Sequence, residues 1–255
     1  MKKTTLFLFI LAISMIAINA QTVATIKKSN TTNIGKTDQA AYNQLKEAHE
    51  NRESFPLNFE GYTADFTFND NGKIYKGTFN YVPKVTLKLE VEGLSEVDTK
   101  FVNEAVSSLV AHRRNPDFTK SDGKYPISFG KDDGSPLGRL ICLEDDSKSC
   151  YRVKNAKVTQ VNRTMEGEFF SINVLEIKST ENGHFLPKQF TVTYFDEKTK
   201  AIKKSQSFTD EYENVNGVWL PKSRRIITSE NGNSTARIIE FSNFKARIET
   251  TQANK

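Results

Sequence analysis

Hydrophobic and polar residues alternate with a period of two along most of the chain, and two stretches break that rhythm with helical spacing. Tyr62, Ala64, Phe66 and Phe68 alternate with Gly61, Thr63, Asp65 and Thr67, which predicts a strand with one apolar face. Asp70-Asn71-Gly72 is a turn signal, after which Tyr75, Phe79 and Tyr81 share a side of the returning strand. Val85, Leu87, Leu89 and Val91 alternate with Thr86, Lys88, Glu90 and Glu92 in a third. Further strands are expected at 156–165, 168–177, 190–194, 202–208, 224–228 and 236–244. In 168–177 both faces carry apolar residues, as expected near the middle of a fold. Strand 202–208 is mostly Lys, Ser and Gln, which suits a wet or edge strand that a partner chain could pair with.

The helical spacing appears first after Thr37 or Asp38, either of which can cap a helix running to about Glu53 with Ala41, Leu45 and Ala48 as a narrow stripe. The second helix runs from Leu94 to about Arg113. Phe101, Val102, Ala105, Val106, Leu109 and Val110 form its apolar face, with His112 and Arg113 at the edges of that face. Residues 115–138 are rich in turn formers and predict a long loop or flap.

One hairpin opener occurs twice. Asn182-Gly183-His184-Phe185-Leu186-Pro187-Lys188 and Asn216-Gly217-Val218-Trp219-Leu220-Pro221-Lys222 agree at five of seven positions, 34 residues apart. Asn-Gly supplies the positive φ of a tight hairpin, and Pro, lacking an N–H, suits a strand start. Ten to eleven strands joined by tight turns predict a mainly β (α+β) fold: a curved antiparallel meander forming a half-barrel, with one or two amphipathic helices on its concave face.

Composition adds the compartment. Lys2 and Lys3 precede an apolar run from Leu6 to Ala17, too short to span a bilayer comfortably, and Ala20 is a plausible cleavage residue. The expected organisation is a signal peptide at 1–20, a mobile leader at 21–36, a single domain at 37–246 and a loose tail at 247–255. A periplasmic or secreted protein without an integral membrane span after cleavage is expected. Removing Lys2 and Lys3 leaves 34 basic against 31 acidic residues, a net +3. The charges alternate in sign and no basic stripe is interleaved with aromatics, so nucleic acid is not an expected partner. Cys142 and Cys150 flank a seven-residue hairpin loop and are expected to form a disulfide in an exported protein.

The chemistry-bearing motifs are sparse. There is no phosphate-cradling Gly-rich loop and no His-Glu-x-x-His. His49, His112 and His184 are scattered singly, so no metal or cofactor is expected and no catalytic residue is assigned. The candidates for a rim that contacts an anion are His112, Arg113, Arg114, Asn162 and Arg163, because the arginine fork fits carboxylate or phosphate. Candidates for a ligand cavity are Phe101, Val102, Val106 and Leu109 on the helix, and Phe170, Val192, Tyr194 and Trp219 on strands.

Two resemblances bear on these expectations. Val192-Thr193-Tyr194-Phe195-Asp196, the stretch from Tyr212 to Pro221 and Phe241-Ser242-Asn243-Phe244 resemble in cadence the LolA-like lipoprotein-carrier superfamily. Over 55–245 the chain is similar to the family called domain of unknown function 3386. The matching motifs are Phe66-Thr67-Phe68-Asn69-Asp70-Asn71-Gly72-Lys73, Val110-Ala111-His112-Arg113-Arg114, Pro136-Leu137-Gly138-Arg139, Gln160-Val161-Asn162-Arg163-Thr164-Met165 and Leu186-Pro187-Lys188-Gln189-Phe190-Thr191-Val192-Thr193-Tyr194. The carrier resemblance implies a half-barrel and an apolar ligand. The leading expectation is therefore an exported binding protein for a lipid or other amphiphile held between sheet and lid helix. A ligand-free protein–protein scaffold is the alternative, followed by a hydrolase or isomerase using His112.

Overall fold

The computed structural model describes residues 36–249 apart from Asn115 and Glu166. The expected signal peptide and leader lie outside the described residues, except Lys36.

Two helices and twelve strands follow in order. Helix α1 is Gln39–Glu50; β1 Phe59–Asp70, β2 Lys73–Val82 and β3 Thr86–Val91 precede α2, Glu96–Ala111. Then come β4 Ile127–Phe129, β5 Arg139–Leu143, β6 Cys150–Lys154, β7 Lys157–Met165 and β8 Glu168–Ser179. The last four are β9 Phe185–Asp196, β10 Ile202–Val215, β11 Val218–Glu230 and β12 Asn233–Ile248. All twelve strands form one antiparallel sheet in the order β3-β2-β1-β12-β11-β10-β9-β8-β7-β6-β5-β4. The half-barrel is thus a meander with one departure: the first strand pairs with the last, Phe66 opposite Phe241 and Phe68 opposite Ile239.

Local chemistry places the ends of these elements. Asp38 caps α1, its carboxylate accepting from the N–H groups of Ala40 and Ala41 at 2.9 and 3.2 Å. Ser95 caps α2 by accepting from Asp98 N–H at 3.1 Å, while its hydroxyl donates back to Asp98 Oδ2 at 2.6 Å. Asn71-Gly72, Asn216-Gly217 and Asn231-Gly232 all have positive φ at both residues, as two-residue hairpins of this hand require. The first copy of the repeated opener folds differently. Its loop is longer, Thr180 to His184, and only Gly183 of its Asn-Gly pair has positive φ. Asn182 Oδ1 accepts from His184 N–H, and the Thr180 hydroxyl is held by Glu53 Oε2 at 3.0 Å. A tertiary contact to the segment after α1 thus replaces the tight turn. Pro187 and Pro221 lie at register shifts within β9 and β11, not at the strand starts, and a bulge spares each a missing ladder bond.

Three expectations change. The segment 115–138 contains a twelfth strand, β4, too short for periodicity to show; Ile127 pairs with Leu143 and is fully buried. Residues 202–208 are no edge: β10 is bonded to β9 on one side and β11 on the other. Its polar outer face reflects solvent on the convex side of the sheet, which composition alone does not distinguish from an open edge. Strand β12 also continues to Ile248, two residues past the expected end of the domain, where Arg247 donates to Tyr81 O at 3.1 Å.

The disulfide joins Cys142 to Cys150, which face each other across β5 and β6. Closing so short a loop stabilises by about 2.5 kcal/mol in the chain-entropy model.

Candidate functional site

Residues directly opposite in antiparallel strands share a face, so the register sorts the concave surface into three zones. In the first, α2 lies over β1, β2, β11 and β12. Val102, Val106 and Leu109 pack with Phe66, Phe68, Phe79, Ile239 and Phe241 in one buried cluster. Phe101 borders it, its ring 6.0 Å from Phe68 and under the Arg237 guanidinium at 4.3 Å. These four helix residues fill the core under α2. In the second zone Ala41, Leu45 and Ala48 of α1 pack on Ile127, Ile141, Leu143, Tyr151 and Val153.

The third zone lies between the helices, on β8 to β10. Phe170 stands opposite Tyr194, Ile172 opposite Val192, and Val174 opposite Phe190, which stacks on Phe208 at 4.6 Å. Apart from Val174, these residues form a separate apolar cluster. Ile172, Val174, Phe190 and Phe208 remain half-buried, whereas Phe66, Phe68 and Ile239 under α2 are at most 1% exposed. The strip is therefore apolar and incompletely covered. Of the strand residues expected to face a ligand, Phe170, Val192 and Tyr194 meet here. Trp219 does not join them: it sits at the start of β11 with Lys178 Nζ 4.4 Å over its ring.

Charged groups border the strip on two sides. Towards α2, Arg224 forms a bidentate pair with Asp210 directly across β10 and β11, at 2.7 and 2.6 Å. Its Nη1 donates to Ala105 O and Ser108 Oγ of α2, and its guanidinium lies 5.2 and 5.7 Å from the Phe208 and Phe190 rings. Towards α1, Arg163 stands opposite Phe170 and donates to the hydroxyl of Tyr151, which donates to Asp122 Oδ2 at 2.8 Å. Arg52, just after α1, feels Asp122 and Tyr151 as neighbours, and burial lowers its pKa.

The expected rim residues separate. Arg113 is buried and structural: Nε donates to Glu53 O at 3.1 Å and Nη1 to Trp219 O at 2.7 Å, over the ring of Phe55. Arg114 is exposed. Asn162 pairs with Cys150 and donates to Gln160 on the convex face, opposite to Arg163. His112, the C-cap of α2, stays in the site. Its side chain is exposed, yet its pKa is lowered to about 3, by burial first and then by Arg224, Arg52 and Arg163. Because water does touch the ring, the direction of the shift is the physical result: the imidazole is neutral at pH 7.

This direction makes a prediction. An unfolded histidine titrates near 6.5. A depressed folded value means that neutral His112 contributes stability above about pH 6.5, and that this is lost as the pH falls towards the folded value. Denaturant unfolding at pH 7.5 and 5.0 should show a larger acid loss for the natural chain than for His112→Gln. Equal losses would mean that His112 titrates normally in the fold. His49, also lowered by burial and Arg52, is retained in both proteins.

Sequence reasoning did not find Arg52, Tyr151, Asp122 or the Asp210 partner of Arg224. These groups come together from separate strands and loops, Asp122 lying 29 residues from Tyr151 and Asp210 lying 14 from Arg224, and no local motif marks them. Among the described residues no cluster of His, Cys, Asp and Glu could hold a metal ion, and no helix is long and apolar enough to cross a membrane. A shallow depression around Ile202, Lys203 and the Ser229–Ser234 turn is open to solvent and distant in register from this site.

The family model described as "Protein of unknown function (DUF3386)" matches residues 36–246, and the chain belongs to that family. No curated protein matches the chain. Among solved structures, a LolA superfamily protein from Nitrosomonas europaea is similar at 13% identity and a TM-score of 0.30, over 82% of this chain and 94% of that one. A DUF1329 family protein from Desulfovibrio piger is similar at 10% identity and a TM-score of 0.25, over 86% and 96%. A putative outer membrane lipoprotein-sorting protein domain from Vibrio parahaemolyticus is similar at 9% identity and a TM-score of 0.30, over 84% and 95%.

Proposed function

We propose that this member of the DUF3386 family is an exported binding protein that holds a lipid-like amphiphile on the central strip of its half-barrel, between α1 and α2. One observation carries the reading. In the middle of the concave face Phe170, Val192 and Tyr194 retain 6–9% exposure and Ile172, Val174, Phe190 and Phe208 are half-buried, while Val102, Val106 and Phe66 directly under α2 retain at most 1%. Half-covered apolar surface inside a fold is unfavourable by about 25 cal/mol for each Å² left in contact with water, and a ligand's apolar chain removes that contact. The seat differs from the sequence expectation. The ligand would lie beside α2, against Phe170, Ile172, Val192 and Phe190, and not beneath its apolar stripe. The amino-terminal apolar run and the disulfide support a periplasmic or secreted location.

The scaffold alternative named strand 202–208 as an example of an open edge; that strand has neighbours on both sides, and the edges of the sheet are β3 and β4. Native mass spectrometry of protein purified from its own compartment, followed by organic extraction, tests the carrier reading. The expected result is a mass excess released as an amphiphile. A clean apoprotein mass, together with no uptake of added lipid, would overturn it.

A further inference from the structure

At the α1 end of the strip two arginines share few acceptors among the described residues. Arg52 Nε and Arg163 Nε are both buried without a hydrogen-bond partner among the described residues. The guanidinium of Arg52 forms no hydrogen bond or ion pair among those residues, and that of Arg163 bonds only the Tyr151 hydroxyl. One carboxylate, Asp122, is within reach of both, and it already accepts from Tyr151 at 2.8 Å. Asp145, the other acid near Arg163, is committed to Ser149, accepting from its N–H at 2.6 Å and its hydroxyl at 2.7 Å. Arg224 adds no surplus charge, because Asp210 neutralises it. Buried donors left without acceptors are rare in folded proteins, and an under-paired guanidinium in a low-dielectric recess is strongly attracted to an anion.

The position of this surplus relative to the strip gives it meaning. Arg163 stands directly opposite Phe170, so the cationic recess opens onto the first residue of the apolar floor. An elongated molecule lying along Phe170, Ile172 and Val174 would bring one end to Arg163. We propose that the ligand is an anionic amphiphile whose carboxylate or phosphate head group is held between Arg52 and Arg163, beside Tyr151 and His112, with its chain along the central strip. This rests on the amphiphile reading above and adds to it the sign of the head group and the end at which it sits. Two fork-shaped donors that both feel Asp122 and Tyr151 as neighbours offer the N–H groups that carboxylate and phosphate oxygens accept.

The test compares four probes with one chain length: dodecanoate, dodecyl phosphate, dodecyl maltoside and dodecyltrimethylammonium, with inorganic phosphate alone as a fifth. Calorimetry on the full-length mature protein should show the two anionic probes binding roughly tenfold to a hundredfold more tightly than the maltoside, with the ammonium weakest. Arg52→Gln, which removes a side chain without a hydrogen bond among the described residues, should reduce that preference roughly tenfold and leave maltoside affinity unchanged. Arg52→Gln with Arg163→Gln should abolish it. Equal affinity for all four amphiphiles, or a preference that survives Arg52→Gln, would overturn the head-group assignment while the carrier reading stands. Inorganic phosphate binding as tightly as dodecyl phosphate would show a free-anion site and overturn it too. If no amphiphile binds, both readings fail together.

Discussion

Asp210→Ala should lower the stability of the fold by about 3–5 kcal/mol, a large share of the roughly 5–15 kcal/mol that holds a typical domain. Asp210 and Arg224 are 1% and 3% exposed at the side chain, and the carboxylate takes both arms of the guanidinium fork. Removing the carboxylate leaves a full charge beside the stacked Phe190 and Phe208 rings with no partner anion among the described residues. The same arginine reaches Ala105 O and Ser108 Oγ, so its displacement also loosens α2 from the sheet. Denaturant unfolding measures the loss. Asp210→Leu combined with Arg224→Met should recover much of it, because an apolar pair of similar volume avoids the desolvation cost altogether. A single-variant loss below about 1 kcal/mol would mean that water reaches the pair and that the middle of the concave face is far wetter than the packing indicates.

The half-barrel was legible because its determinants are local. Period-two alternation in β1 to β3, three Asn-Gly turns and the six-residue stripe of α2 each act within a few residues. Ser95 and Asp38 capped the helices as their side-chain chemistry allows. The half-burial of the strip was not legible. Val106 and Leu109 carry the same apolar signal as Ile172 and Val174, and only the placement of α2 decides which pair is buried and which stays half-buried. The charged rim divided for a similar reason. Arg163 and Asn162 are adjacent in sequence, but the strand pleat sends one to the concave face and the other to the disulfide side. Arg113 and His112 likewise part at the end of a helix, one into the core and one into the recess. For strand 202–208 the wet expectation is met and the edge expectation is not, because a solvated face and an unpaired edge have the same composition.

The largest effect on binding should come from filling the strip. Ile172 and Val174 face the concave side and are half-buried, so added bulk there enters the recess and not a closed core. Ile172→Trp with Val174→Trp would displace three or four methylenes of a bound chain. At about 0.8 kcal/mol for each buried methylene, that is roughly 3 kcal/mol, or about a hundredfold in affinity. The fold should survive, since the large costs of overpacking arise where neighbours cannot yield. Filling the core under α2 instead, at Val106, should harm stability before binding, because that zone is closed. The decisive measurement is the titration of a fluorescent fatty acid into the natural chain and into the Ile172→Trp, Val174→Trp variant, with unfolding curves run on both. Saturable uptake by the natural chain and a loss of about a hundredfold in a stably folded variant is the predicted result. Equal uptake by both proteins would place the ligand elsewhere and contradict the central strip as its seat.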